Sequence, residues 1–540
     1  MKRKLLAVTL VVLLVALVLG TAGTPAGAEE QTLEEQIATA ITNGLVWLAD
    51  QQKLDGSWGD TLCDRVGRTG LAVLKFETYA IEQGMDPLSE DYVYSPQVAN
   101  GLAYIMANAH EQAIGLQPAG DPDGDGDGIG LYFTDCPPNI RPIYNTGIAM
   151  MALAASGHPE LYEDPLQDAV DYMAWAQADD FCGPHRGGWR YVPDCNSDNS
   201  NTGYVTLGLG YAAAPPPYGF GLTIPQFVKD ELSIWIDLIQ DDVDGDDWDG
   251  GSWYDPWSPL VNILKTGNLI YEMALVGDTA GSPRVQDAID YIQRHWDDPG
   301  ACGTGWTYHR QAMFTMMKGF EGMGIELIDL DGDDVPEYDW FVEVAQHLVD
   351  TQNADGSWPG DCWGEPMLST AWALITLERS VPTVQIPVAL DVHPTSCPNP
   401  LNVGKAGVVP MAVLGTDEFD VTQIDPATVR VVNLIDPENS DLHVAPLRWA
   451  LEDVATPFEP LLGKEDCVAD CWGWMCDEDY PGDGYMDLTF KFRAREITAA
   501  LGEVADGDCL VLRFIGNLQE DYGGTPFVGE DVVWIIDKSP

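Results

Sequence analysis

Gln51-Gln52-Lys53-Leu54-Asp55-Gly56-Ser57-Trp58-Gly59 closes one amphipathic stretch and opens a more apolar one, and Gln352-Asn353-Ala354-Asp355-Gly356-Ser357-Trp358 does the same far down the chain. Between them the pattern returns as Gly188-Trp189, Gly251-Ser252-Trp253 and Gly305-Trp306, with Gly130-Leu131-Tyr132 in the second unit. Ahead of these loops, 37–52, 96–117, 166–177, 224–239, 285–295 and 340–352 place apolar residues three and four apart, as in Ile37, Ile41, Leu45 and Leu48, which predicts helices. Behind them, second helices are expected to open at Thr69-Gly70, Thr146-Gly147, Thr202-Gly203, Thr266-Gly267, near Thr315 and at Thr370-Ala371, each threonine capping a first turn. Six helical hairpins between about 33 and 380 are a repeat architecture. The second helices are uniformly small and apolar, 203–214 being one. That predicts a closed ring with those helices innermost, buried on nearly all sides.

These two Gln-to-Trp motifs resemble the repeat of squalene cyclases and protein prenyltransferases. The resemblance covers about 350 residues, roughly the span 29–380. It implies an (α/α)6 toroid in which the Gln and Trp tie neighbouring repeats together, so it speaks for fold rather than chemistry.

The texture changes after Ser380. A linker is expected at 381–387, followed at 388–540 by β-rich runs (388–392, 407–414, 428–434, 486–492, 509–515 and 532–536) between Pro-, Gly- and Asp-rich turns. An all-β sandwich is the natural reading. The part carrying Cys397-Pro398-Asn399-Pro400-Leu401-Asn402-Val403 resembles an accessory module of exported bacterial and archaeal proteins.

The 540 residues hold 26 Lys and Arg against 86 Asp and Glu, a formal net charge of −60. That argues against nucleic-acid binding, which needs clustered cations. With 45% hydrophobic residues and 18 Trp the chain is no disordered polyanion. Lys2-Arg3-Lys4, the apolar run 5–19 and Ala26-Gly27-Ala28 form the three parts of a secretory signal spanning 1–28. The rival reading is an uncleaved anchor. No later stretch is long and apolar enough to insert in a membrane. Export makes the 11 cysteines disulfide candidates. Cys182–Cys195, Cys63–Cys136 and Cys302–Cys362 are expected, with Cys63–Cys362 as the rival in a closed ring. The odd total leaves one Cys over.

Four loops alternate carboxylates in a frame that suits calcium, which takes six to eight hard oxygens around a glycine turn. They are Asp329, Asp331, Asp333 and Glu337; Asp242, Asp244, Asp246 and Asp249; Asp121, Asp123, Asp125 and Asp127; and Asp479, Asp483 and Asp487. Calcium is the expected cofactor. A solvated acidic turn is the alternative, and surface acidity suited to high salt is the alternative for the whole chain.

Catalytic motifs of the resembling families are not found. Class II terpene cyclases protonate with the middle Asp of Asp-x-Asp-Asp-Thr-Ala. Here Asp244-Gly245-Asp246-Asp247 and Asp331-Gly332-Asp333-Asp334 lack the Thr-Ala, and the residues before the second-helix threonines are Arg68, Asn145, Asn201, Lys265 and Ser369. The prenyltransferase zinc set and the Gly-Cys-Gly-Glu-Gln thioester are absent. The loops at the ring mouth nevertheless carry Arg68, His185, Arg186, Trp189, Arg190, Trp253, Lys265, Trp306, His309 and Arg310. Arginine forks suit carboxylates or sulfates, and Trp stacks on sugar rings. The leading expectation is an exported, calcium-stabilised, non-catalytic binding or structural module. Its partner is an anionic glycan or another surface component. The alternatives are a polysaccharide lyase or other carbohydrate-active toroid enzyme, and a divergent terpene cyclase.

Overall fold

The computed structural model describes residues 31–536 except 138–139, 244, 259, 302, 331, 333–334, 363, 380–385, 395, 397–398, 404–406, 417–418, 433–442, 455–482, 502–503 and 520–525. The signal segment 1–28 lies outside the described residues.

Among the described residues, twelve α-helices precede residue 380: α1 (Leu33–Asp50), α2 (Arg65–Glu82), α3 (Ser95–Ala107), α4 (Pro142–Ala155), α5 (Pro159–Ala176), α6 (Asn199–Ala213), α7 (Gln226–Ile239), α8 (Ile263–Val276), α9 (Pro283–Arg294), α10 (Arg310–Met323), α11 (Trp340–Thr351) and α12 (Pro366–Glu378). The even-numbered helices pass contacts around a circuit, α2 to α4, α6, α8, α10, α12 and back to α2. The odd-numbered helices lie outside it, each bearing a buried and a solvated face. The helical region is therefore a toroid, with one hydrophobic core running from Ala40 to Leu377.

Three hydrogen bonds recur from repeat to repeat. The indole N–H of the loop tryptophan donates to an outer-helix carbonyl: Trp58 to Leu48 (2.8 Å), Trp189 to Met173 (2.9 Å) and Trp358 to Leu348 (2.8 Å). A loop backbone N–H donates to the inner-helix threonine: Trp58 to Thr69, Phe133 to Thr146, Trp189 to Thr202, Ser252 to Thr266 and Trp358 to Thr370, all within 2.8–3.1 Å. The threonines were expected as caps. They sit instead a turn inside helices that begin earlier, and serve as acceptors for the loop. Finally a glutamine amide reaches the next repeat: Gln52 to Gln97 O (3.0 Å), Gln177 to Val228 O (3.0 Å), Gln240 to Arg284 O (2.7 Å) and Gln352 to Ala40 O (2.8 Å). The last of these joins repeat six to repeat one. The glycine that follows four of these five threonines has a separate task. A methyl group on Gly147 would stand 2.7 Å from Tyr204 O, and one on Gly267 2.5 Å from Met316 N, so these glycines let neighbouring inner helices touch.

Side chains fill the lumen. Trp372 on α12 donates its indole N–H to the Tyr204 hydroxyl on α6, the helix opposite in the circuit (3.2 Å). Tyr144 packs on Tyr204 with centroids 4.9 Å apart, and Phe314 stacks on it at 6.5 Å. Towards the helix C-termini, buried Lys75 pairs with Glu378, which also accepts from Thr78 (2.7 Å), and Lys318 Nζ donates to the Tyr211 hydroxyl (2.6 Å). Glu77 is buried beside them with neither carboxylate oxygen bonded, and burial raises its pKa well above the usual range.

Two helix boundaries differ from the sequence reading. The helix expected over 96–117 ends at Ala107. Beyond it β1 (Ala109–Ala113) pairs antiparallel with β2 (Ile129–Phe133), a tertiary pairing that outweighs local helix preference. The helix expected from 166 begins at Pro159 and contains Pro165. A second short hairpin, β3 (Leu327–Ile328) with β4 (Tyr338–Asp339), precedes α11.

The β region comprises β5 (Ile386–Pro387), β6 (Leu390–Val392), β7 (Pro400–Asn402), β8 (Val408–Val413), β9 (Ile424–Val432), β10 (Arg448–Glu452), β11 (Asp487–Arg493), β12 (Cys509–Leu518) and β13 (Pro526–Ile536), with the helix α13 (Ala494–Leu501). One sheet runs β10-β11-β8-β6 and the other β5-β13-β12-β9, with β7 also on β13. Both contribute to one core, in which Phe490 and Phe492 of the first sheet meet Phe514 of the second. The last two residues of the expected linker, Ile386-Pro387, pair parallel with β13.

Cys63–Cys136 and Cys182–Cys195 are disulfides. That excludes the rival Cys63–Cys362. Cys362 is disulfide-bonded, and the expected Cys302–Cys362 pair falls on a residue outside those described. No helix among the described residues is long and apolar enough to cross a membrane.

Gln352→Ala strips the donor from the Ala40 and Gly356 carbonyls and should cost about 1–3 kcal/mol. Thermal unfolding checks this against Gln346→Ala, a half-buried control on the same helix whose amide bonds only to exposed Asp350. Equal melting of the two variants would show that the amide does not fasten the ring.

Candidate functional site

The inner helices run parallel, because their first turns meet at successive joints. Arg141 reaches Asp64 (2.6 Å), Asn145 Oδ1 accepts from Gly67 N (3.1 Å), Asn199 donates to Lys265 O (3.1 Å) and Arg68 pairs with Glu365 (2.9 Å). Six helix N-termini therefore open on one bowl, floored by Tyr204 and Trp372. The positive ends of their dipoles all point into the bowl before any side chain is counted.

The carboxylates of the bowl all have partners. Asp64 is taken by Arg141 and Arg68. Asp198 is wholly buried and accepts from Asn201 and Ser200 while pairing with Arg190 at 3.1 Å. Glu365 holds Arg68, and Asp361 accepts from Arg310 N (2.7 Å) and Gly364 N (3.1 Å).

Three basic side chains in the wall are not so matched. Arg310 is 2% exposed, and its Nε and Nη2 have no partner; only Nη1 bonds, to Tyr308 O (3.2 Å). His309 is 1% exposed. Its Nδ1 accepts from Ala312 N, which puts the proton of the neutral ring on Nε2, and Nε2 has no partner. Burial, then the charges of Lys265 and Arg310, hold its pKa down against the pull of Asp361. Lys265 is 8% exposed, and its ammonium makes no ion pair or hydrogen bond among the described residues. Burial lowers its pKa to about 8. Tyr308, just before this pair, holds a left-handed φ of 56°. Non-glycine residues rarely adopt that conformation, and such strain gathers at functional sites.

The other expected mouth residues divide clearly. Arg190 lies in the bowl, between Asp198 and the rings of Tyr191 and Tyr254. His185 is buried and fixed by Ser197, with exposed Trp257 against its Nε2 (3.1 Å). Arg186 is engaged twice by Glu231 on α7, at 2.6 Å each. Trp189 and Trp306 are buried in the core, and Trp253 donates to Asp241 (2.7 Å). These last four brace loops. Sequence reasoning missed Trp257 and Asp361, since neither belongs to the repeat motif.

The carboxylate loops lie elsewhere. Asp123 and Asp125 converge with Asp171, and Asp125 and Asp127 with Asp168, each group having oxygens within 4.8 Å of one another. Asp168 and Asp171 come from α5 and were not anticipated; their one signal was a spacing of three on a helix. Asp121 accepts from Asp123 N (3.3 Å). Burial, then Asp127 and Asp125, lifts Asp168 to about 6. Burial above all lifts Asp171 to about 7, against bonds from Gln167 and Gly124. In the second loop Asp246 and Asp249 accept backbone N–H bonds, as loop turns do, and Asp242 is described but Asp244 is not. Asp331, Asp333 and Asp479 lie outside the described residues, although Asp329 and Glu337 do not. Asp483 accepts from Tyr485 N (3.0 Å), and Asp487 is buried, accepting from Gly415 N (3.0 Å) and Val454 N (2.7 Å).

No protein-family model matches the chain, and no curated protein matches it. Among solved structures it is similar to the glucoamylase of Hormoconis resinae, at 10% identity and a TM-score of 0.34 over 94% of this chain and 95% of that one.

Burial, with the like charges around it, gives Asp168 a pH signature. Its raised pKa means that stability present below about pH 4 is lost as pH rises through about 6 when no cation is bound. In chelator, Asp168→Asn should therefore melt ~2 °C above the parent at about pH 8 and level with it at about pH 4. Scanning calorimetry across that range checks the sign; a constant difference would remove the charge explanation.

Proposed function

We propose that this is an exported carbohydrate-active protein, an (α/α)6 barrel followed by a β-sandwich, that takes a uronate-bearing polysaccharide in the ring mouth and cleaves it by β-elimination. One observation carries the reading: Arg310 and His309 bury three donor nitrogens that have no partner, in a chain of net charge −60. Orphaned buried donors cost about 1–3 kcal/mol each, a cost that a bound anion relieves. A planar guanidinium beside an imidazole N–H matches a carboxylate. Clamping that carboxylate stabilises the charge that develops as a base takes the proton from the adjacent carbon; the freed electron pair forms the new carbon–carbon double bond, the bond to the glycosidic oxygen breaks, and the departing oxygen takes up a proton from solvent. The exposed ring of Trp257 offers a stacking face on the rim.

The non-catalytic reading keeps only the missing motifs behind it. The cyclase reading wants an apolar chamber for a hydrocarbon. The lumen here is filled by Tyr204, Trp372, Tyr211, Lys318, Lys75 and Glu378.

The test incubates the full chain with uronate polymers while following the ultraviolet absorbance of unsaturated ends. One polymer should be cut, and Arg310→Gln should cut it at least ~100-fold more slowly. An uncut, unbound panel would sink the lyase reading.

Calcium is the cation proposed for the cluster of Asp123, Asp125, Asp127, Asp168 and Asp171. Carboxylates at this spacing suit a hard cation. A hundredfold excess of calcium over its Kd should add about 2.7 kcal/mol. Because Asp168 and Asp171 bind protons in its absence, the gain should grow as pH rises through about 6 to about 7. Melting that is indifferent to calcium would make the loop an acidic turn.

A further inference from the structure

Lys265 occupies a position that works against its charge. It lies in the first turn of α8, its backbone N–H accepted by Asn262 Oδ1 (3.2 Å), where the helix end is already positive. The extensive packing of α8 on α10, with Thr315 Oγ1 bonded to Leu264 O (2.8 Å), sets it beside His309 and Arg310. Asp64, Asp198, Asp361 and Glu365 are all engaged by other groups. A lysine placed only for stability would have a carboxylate partner, as Lys53 has Asp60 (2.7 Å).

We propose that Lys265 is a nucleophilic amine, binding through an imine a carbonyl compound that also carries a carboxylate. Desolvation beside other cations is the setting that activates a lysine toward carbonyl groups. Burial lowers its pKa to about 8, so about one amine in ten is uncharged near pH 7. The nitrogen lone pair adds to the carbonyl carbon, and the carbonyl oxygen becomes the carbinolamine hydroxyl by taking up the proton that the nitrogen releases. The carbon–oxygen bond then breaks, the hydroxyl leaves as water with a further proton from solvent, and a protonated imine remains. Arg310 Nε and Nη2 and His309 Nε2 face the ligand's carboxylate on the reading proposed above. The reactivity of the amine does not depend on that reading.

The experiment exposes the folded full-length chain near neutral pH to limiting glyoxylate or acetaldehyde with cyanoborohydride, which reduces the imine to a stable amine. Peptide mapping then compares Lys265 with Lys53, whose side chain is 34% exposed against 8% for the whole Lys265 residue. Accessibility alone favours Lys53. Lys265 should instead be modified at least ~10-fold faster by either aldehyde. Glyoxylate should lead acetaldehyde, and Arg310→Gln should erase that lead. If acetaldehyde modifies Lys265 selectively and glyoxylate gains nothing, the amine assignment stands and the carboxylate clamp falls. If acetaldehyde modifies Lys265 no faster than Lys53, the proposal is overturned.

Discussion

The ring depends on one fastening, repeated: a loop tied inward to a threonine, outward to a helix carbonyl, and sideways by a glutamine amide to the following repeat. No single bond of this kind contributes more than about 1 kcal/mol net. Their force comes from what each would leave unpaired, since backbone groups between two layers of packed helices have no water to turn to. The sideways bond also sets the curvature. Each amide fixes where the next outer helix begins, and Gln352 delivers the last outer helix against Ala40 of the first. An inner layer of threonine and glycine then permits the close approach that a narrow lumen requires.

The fifth repeat departs from this rule. Trp306 leaves its indole N–H unbonded, and Thr315 donates to Leu264 O on the neighbouring helix where its counterparts accept from their own loop. That same repeat carries Tyr308 in its left-handed conformation, then His309 and Arg310 with idle donors. Places where local rules fail are where function is to be sought. The two ends of the lumen differ in the same sense. At the C-terminal end Lys75 and Lys318 each have a partner in Glu378 or Tyr211, whereas at the mouth Lys265 has none among the described residues.

Much of the fold was legible because it repeats. Trp58 and Trp358 announce their loops by sequence alone, and both occupy the same bond pattern. The β-rich runs of the C-terminal third fall within a few residues of β6, β8, β9, β11, β12 and β13. What failed was non-local. Thr69 and its equivalents read as caps, since a sequence shows a threonine near a helix start but not the loop N–H facing it. The residues at 109–113 read as helix because their partner strand comes well after them. Trp189, Trp306 and Arg186 read as ligand groups because surface loops and bracing loops have the same composition. Asp168 and Asp171 gave little sign, since convergence with the loop at 121–127 exists only once α5 is folded.

The hydrogen bond between Trp372 and Tyr204 crosses the ring at its waist. A torus with an open hole is a sleeve through which a polymer can be drawn, unit after unit, without letting go. With the hole stoppered, this ring is a dish. On the polysaccharide reading proposed above, a long chain lies across it or lowers one end into it, and both fragments leave by the face through which the chain arrived. Any processivity must then come from lateral sliding over the rim.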